Sequence, residues 1–281
     1  MKDTKAYHEA VGGLRAFFAA RGYVEVPVQP RLSILAACED PDTISMFEFS
    51  GEEWPLPQTG QMWLERELLE NPGWPGVFCI STSYRNEPNP IPGRHDLIFP
   101  MFEFESQGDV NDLIELEREL LVRTGFSPPI ILEYEDVCRT YGVERIGADE
   151  ETALQRDYGD EVIIKEFPSR SDPFWNMHEL PDGLFSKVDV ILHGIETIGS
   201  AQRSCDADGM RKNFYSVSGG RYAERLFELF GKERVMRELD DYLSLDMFPR
   251  FGGGIGLTRL ARAMNIIGEV TGSTVAQPSI A

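Results

Sequence analysis

Residues 77–106 read VFCISTSYRNEPNPIPGRHDLIFPMFEFES. Two strand-like runs, VFCISTSYR and FPMFEFES, flank the loop NEPNPIPGRHDLI, which carries Pro88, Pro90 and Pro92. Proline supplies no amide hydrogen to a sheet ladder, so the loop is predicted to stand outside the sheet that its flanks build. In the second run, strict alternation sets Glu103 and Glu105 on one face and Phe102 and Phe104 on the other. The loop's cations, Arg85, Arg94 and His95, can reach a phosphate chain, and carboxylates on the returning strand can hold an amine. A solvated polar strand face accounts for the same letters.

Outward from this hairpin, Tyr7, Val11, Leu14 and Phe18 recur at helical spacing over residues 4–21, and Gly22 provides a stop. YVEVPV follows, a strand-like run whose Pro27 confines it to an edge or an interface. MFEFS is a further alternating segment, and Gln61–Asn71 reads as a helix ended by Pro72. Helices are predicted at 109–124, 134–142, 148–157 and 220–243. The runs SKVDVILHG and IETIGSAQR meet at Gly194, and the glycine stretch FGGGIG leads into a last helix with Leu257, Leu260, Ala261 and Met264 on one face. With no internal repeat or linker, residues 1–281 are expected to form a single α+β domain, an antiparallel sheet with helices packed on it.

Two further constellations carry possible chemistry. Asp189 and Glu196 would face opposite ways on one straight strand, but a turn at Gly194 lets both converge. Paired carboxylates with substrate phosphates suit Mg²⁺. Arg203, past Gly199, can take a carboxylate through two parallel hydrogen bonds. Surface ion pairing explains these residues equally well in isolation. The run Gly252–Arg259 lets backbone approach a nucleotide and adds a cation at Arg259, although it is neither a Walker A loop nor a dinucleotide fingerprint.

Charge bears on partners. The chain holds 27 Lys and Arg against 47 Asp and Glu, a formal net charge of −20. A field this acidic opposes a polyanionic nucleic acid, and no run of five basic residues interrupts it. No apolar run approaches the roughly 20 residues of a membrane span. The N-terminus lacks the apolar core of a signal peptide, and Cys38, Cys79, Cys138 and Cys205 lie far apart, so a reducing cytoplasm is expected.

In their order along the chain, RGYVEVPV, SYRNE…RHDLIFPMFEFE and GGGIGLTRL resemble the three motifs of class II aminoacyl-tRNA synthetase catalytic domains of the aspartyl/asparaginyl branch. They resemble equally the stand-alone AMP-forming asparagine synthetases, or aspartate–ammonia ligases, on that fold. The likeness runs from about residue 5 to 270. It implies that Arg85 holds the α-phosphate of ATP and the carboxylate being activated, and that Glu87 meets the adenine amino group. It implies His95 near the β- and γ-phosphates, Phe102 near the adenine, Arg259 on the terminal phosphates, and Mg²⁺ on Asp189 and Glu196. For the amino acid it implies Gln61 in the pocket, Glu103 on the ammonium and Arg203 on the side-chain carboxylate or amide.

Three positions depart from the family pattern. Thr258 replaces the glutamate before the motif arginine, Ile98 replaces the glutamate before Phe99, and Leu64 stands where aspartate-binding members carry a lysine. The resemblance implies a homodimer through the first helix and the Pro27 strand. The expected activity is aspartate activation as an acyl-adenylate and transfer to ammonia. The alternatives are an amide ligase using another amine, a tRNA synthetase paralogue and a non-catalytic module. With the catalytic helix beginning near residue 4, an anticodon-binding domain is not expected, and tRNA is the less favoured acceptor.

Overall fold

A computed structural model of the chain describes residues 4–27, 31–37 and 40–271, with side chains as far as residue 268. Val28 of the YVEVPV run and Cys38 lie outside the described residues.

The proline-loop segment forms the hairpin that its alternation predicts. Strands β4 (Gly76–Tyr84) and β5 (Ile98–Gln107) pair antiparallel, with Cys79 opposite Glu103. Ahead of them in the chain come α1 (Thr4–Ala19), β1 (Val24–Glu25), β2 (Met46–Phe49), β3 (Glu52–Pro55) and α2 (Gln61–Glu70). After them follow α3 (Val110–Arg123), β6 (Ile130–Glu133), α4 (Tyr134–Tyr141), α5 (Ala148–Tyr158) and β7 (Glu161–Pro168). The chain continues through β8 (Leu184–Leu192), β9 (Ile195–Arg203), α6 (Ala207–Ser216), α7 (Arg221–Phe230), α8 (Lys232–Leu243), β10 (Arg250–Gly256) and α9 (Leu257–Thr271). Among the described residues the main sheet has eight strands in the order β1-β4-β5-β10-β9-β8-β7-β6. The pairings are antiparallel except β1 with β4 and β6 with β7, and β2 and β3 make a separate small ribbon. This is the α+β architecture expected from the sequence. The edge position of β1 fits the proline two residues beyond it, since an outer strand has one unpaired side.

Three differences from the sequence reading have local causes. FGGGIG is a central strand rather than a lead-in loop, because its neighbours leave no room for side chains. A Cβ on Gly252 would fall inside the Glu105 carboxylate, far below van der Waals contact. The helix expected over 220–243 is broken into α7 and α8 at Gly231, whose φ of 80° and ψ of 134° cannot continue a helix. Helix α6 had no predicted counterpart. Its start is capped by Asp206, which accepts from the Gly209 amide at 3.0 Å.

The sheet separates two layers. On one face Phe78, Phe102 and Phe104 meet Phe18 of α1, with ring centroids 5.9, 5.1 and 5.1 Å from it, and α3 and α9 complete that core. A second apolar cluster gathers α6, α7 and α8 around Trp175, Ile34 and Leu35. A third sets α4 and α5 against β7. Since neighbours along a strand alternate, filling one face with Phe102 and Phe104 commits Phe99, Met101, Glu103 and Glu105 to the other. That second face carries the cleft.

Candidate active site

The cleft has a volume of about 1060 Å³ and draws its walls from β5, β9, β10, the 85–97 loop and the segment around Gln61. Its floor is one ladder row: Glu103 pairs with Gly254, Gly254 with Gly199, and Gly199 with Asp189. The glycines in the middle of that row let neighbouring side chains close over the backbone, Met101 and Gln61 above Gly254 and the Glu196 and Asp189 carboxylates above Gly199. Six Lys and Arg line the cleft (Arg85, Arg94, Lys187, Arg203, Arg259, Arg262) against four acids, Glu87, Asp96, Asp172 and Glu196. In a chain of net charge −20, this cleft carries a local cationic excess, a field that suits an anion.

The residues expected to face phosphates come together from the 85–97 loop and the start of α9. Arg85, Glu87, His95 and Arg259 all line the cleft. Arg85 is fixed through its backbone, which donates to Leu97 O at 2.8 Å, and its guanidinium lies 5.8 Å from the Phe99 ring centroid. His95 Nδ1 lies 2.7 Å from Glu87 Oε2. Arg259 donates to Glu196 O at 2.6 Å and Arg94 O at 3.2 Å, placing the end of β10 against the hairpin and the loop. Phe102 is not at the site. It is fully buried and stacks on Phe78 at 5.1 Å. The cleft aromatic on this strand is Phe99, three residues earlier and of opposite parity. The same alternation that put Phe102 opposite Glu103 in sequence already excluded it from Glu103's face.

The carboxylate pair is brought together by the turn at His193–Gly194, where φ is 47° and 73°. A Cβ on Gly199 would meet Glu196 Oε1 at 3.0 Å and Asp189 Oδ1 at 3.7 Å, so both carboxylates border the same point. Asp189 Oδ1 has no hydrogen-bond partner among the described residues, while Oδ2 is paired with Lys187 Nζ at 2.5 Å. Burial pushes the Asp189 carboxyl up to about 7, with Glu196 adding to the rise and Lys187 opposing it. An orphaned carboxylate oxygen beside a second carboxylate, with no Cβ between them, is a donor set that fits Mg²⁺. Among the described residues no group of three or more His, Cys, Asp or Glu forms a denser metal site.

Arg203, the residue expected at the amino-acid end, is 3% exposed. It donates to Glu105 Oε1 at 2.6 and 3.1 Å and to Gln61 Oε1 at 2.7 Å, so two expected pocket residues, Gln61 and Arg203, touch. Behind it Glu65 lies 3.6 Å from Arg203 Nε and accepts from Arg250 at 2.8 and 3.1 Å and from Tyr242 at 2.6 Å. Burial opposes ionisation of Glu65, but Arg250 and Arg203 prevail and hold its carboxyl below the usual range. Glu105 differs: burial dominates and pushes it up to about 8 despite Arg203. Glu103 sits one layer beneath the cleft surface, fully buried, accepting from the Gly60 amide at 2.8 Å and from the hydroxyls of Thr59 and Ser81. Its carboxylate anchors the segment that presents Gln61. Leu64 is buried with Leu68 and Val77.

Sequence reasoning missed Phe99, Lys187 and Glu151. Parity within β5 and β8 gave a signal for the first two. Glu151, on α5, reaches the site only through tertiary packing.

A mixed sheet with this strand order, bearing a cationic cleft beside paired carboxylates, belongs to an identifiable family. The chain belongs to the class II tRNA synthetases (D, K and N), whose family model matches residues 2–270. No curated protein sequence matches it. Among solved structures it is similar to the asparaginyl-tRNA synthetase of Pyrococcus horikoshii complexed with asparaginyl-adenylate, with a TM-score of 0.76 and 21% identity, covering 92% of this chain and 64% of that one. The asparaginyl-tRNA synthetase of Entamoeba histolytica in complex with asparaginyl-adenylate aligns with a TM-score of 0.74 and 18% identity, over 95% and 65% of the two chains. The aspartyl tRNA synthetase of Entamoeba histolytica aligns with a TM-score of 0.69 and 17% identity, over 95% and 56%. The chain thus spans less than two thirds of the length of these neighbours.

Proposed function

We propose that the chain is an ATP-dependent ligase that activates aspartate, or a close analogue, as its acyl-adenylate and transfers the acyl group to ammonia with release of AMP. The observation that carries this reading is the single cleft with Arg85 and Arg259 in its walls, Arg203 at its amino-acid end and the Asp189–Glu196 pair on its floor. The substrate carboxylate would attack the α-phosphorus in line, with Arg85 placed to stabilise charge growing on the phosphoryl oxygens. Arg259 and His95 would hold the departing pyrophosphate, and Phe99 would offer the adenine a flat apolar surface. Asp189 and Glu196 would hold Mg²⁺, which supplies charge neutralisation for the phosphates. Homodimerisation through α1 and the β1 edge, and a cytoplasmic setting, belong to the same reading. No described helix is long and apolar enough to cross a membrane.

One relationship supports a second reading. Arg203 already faces Glu105, and Leu64 provides no second cation, so an aspartate carboxylate here would be a buried charge with little compensation. A neutral amide would fit without that cost, which favours asparagine and acylation of tRNA. Protonation of Glu105 would reverse the preference by releasing Arg203.

Exchange of pyrophosphate into ATP, measured with aspartate and with asparagine, tests both. Aspartate-dependent exchange followed by AMP release on adding ammonium is expected. Exchange with asparagine alone, together with acylation of tRNA, would establish the second reading instead. Exchange with neither would overturn both.

A further inference from the structure

The two carboxylates of the cleft floor are unequally open. The Glu196 side chain is 40% exposed and lies 4.0 Å from the Arg259 guanidinium. The Asp189 side chain is 11% exposed; its Oδ1 is buried, and its Oδ2 is held by Lys187 Nζ at 2.5 Å. An ion arriving from solvent therefore meets one carboxylate open and the other already paired.

Lys187 is built into this position. It stands two residues before Asp189 on β8, so both side chains leave the strand on the same face. Its ammonium lies 4.0 Å from the Phe167 ring centroid, a second contact that favours a cation. The side chain is 24% exposed and lines the same cleft as Arg85, His95 and Arg259. A lysine carries its charge on a flexible four-carbon stem, so this ammonium can exchange one anionic partner for another within the cleft.

We propose that Lys187 is a resident counter-cation that keeps a divalent ion off Asp189 until the phosphates of the nucleotide draw the ammonium to themselves. The inference rests on the reading of Asp189 and Glu196 as the Mg²⁺ ligands. An ammonium and a divalent ion on one carboxylate repel each other, the more so where water is excluded. A triphosphate supplies the negative charge that accommodates both, with Lys187 on phosphate oxygens and the ion on the two carboxylates. By linkage, nucleotide and ion then favour each other's binding by the same factor. The ion site is thereby conditional on the nucleotide.

Two binding measurements on the full chain test this without recourse to activity. Mn²⁺ affinity in the absence of nucleotide, followed by electron paramagnetic resonance, is expected to rise at least tenfold in Lys187→Met. ATP affinity in EDTA, followed by equilibrium dialysis, is expected to fall at least tenfold in the same variant. Lys187→Arg, which keeps the charge, should stay within about threefold of the unaltered chain in both. Unchanged or weaker Mn²⁺ binding in Lys187→Met would overturn the proposal, since the lysine would then not compete with the ion. Unchanged metal-free ATP affinity would also overturn it, by showing that the ammonium stays on Asp189. Tightened Mn²⁺ binding that survives Glu196→Gln, added to Lys187→Met, would overturn the paired-carboxylate reading itself, and this inference with it.

Discussion

Arg94 Nη2 lies 2.5 Å from Glu151 Oε2, joining the proline-rich loop to a helix 57 positions further along the chain. The same carboxylate oxygen accepts from the Glu196 amide at 2.9 Å, and Arg94 Nη1 donates to Gly194 O at 3.2 Å. Arg259 closes the ring through the carbonyls of Arg94 and Glu196. One side chain outside the cleft thereby positions a loop cation, the carboxylate-bearing hairpin and the arginine after β10. Hydrogen bonds to charged groups are worth about 1.5–3 kcal/mol. Glu151→Gln is therefore expected to raise KM for ATP about tenfold or more, with a smaller change in kcat. Pyrophosphate exchange over a range of ATP concentrations measures the split, and an unchanged KM would remove Glu151 from this role.

Arg203→Lys should separate amino-acid binding from nucleotide binding. A lysine keeps the charge but cannot meet Glu105 and Gln61 with the same fork. Amino-acid-dependent exchange is expected to fall by about 100-fold or more, comparable to losing one preorganised donor. ATP affinity, measured by equilibrium dialysis without amino acid, should stay within about twofold. A parallel loss of ATP binding would place Arg203 in the nucleotide site instead.

Gly199→Ala would put a methyl group between the two floor carboxylates, 3.0 Å from Glu196 Oε1. Divalent-ion affinity is expected to drop about tenfold, on the order of one lost ligand orientation. Mn²⁺ binding followed by electron paramagnetic resonance reads this directly. Chelation with EDTA should abolish exchange in the unaltered chain, and added Mg²⁺ should restore it. Wild-type ion affinity in the variant would show that Asp189 and Glu196 do not share an ion.

Glu117 on α3 is fully buried, accepts from the Ser200 hydroxyl at 2.7 Å, and has one oxygen with no partner among the described residues. Burial, with a contribution from Asp189, pushes its carboxyl up to about 8 from 4.5. A native-state value raised above the unfolded one means the folded chain binds the extra proton between these limits. The stability contributed is present below about 4.5 and is lost as pH rises towards 8. Glu117→Gln, which mimics the protonated form, is expected to flatten the fall of Tm between pH 5 and pH 8 and to be the more stable chain at pH 8. Parallel Tm profiles for the two chains would contradict the buried-acid assignment.

Much of this architecture was readable because it depends on neighbours in sequence. The 3.6-residue spacing of α1, the period-2 alternation of β5 and the glycine turn at Gly194 are local, and the ordered motifs located Arg85, Glu87, His95, Gln61, Asp189, Glu196, Arg203 and Arg259 in one chain direction. Where two local signals competed, the sequence was ambiguous: FGGGIG looks like a loop by glycine propensity, yet it is a strand because its neighbours fill the space that side chains would need.

By itself the sequence determined many of the elements, their order and the identity of the chemical groups, since backbone propensity and periodicity act over a few residues; β6, β7, α6 and the strand character of FGGGIG escaped it. Tertiary structure alone decided which groups meet. It buried Phe102 against Phe18 and left Phe99 for the cleft, because one face of a strand must be surrendered to the core. It gathered six cations into one cavity of a strongly acidic chain, and it brought Glu151 to Arg94. Electrostatic interactions and burial depend on distance in space, and a linear string of residues carries no such distance.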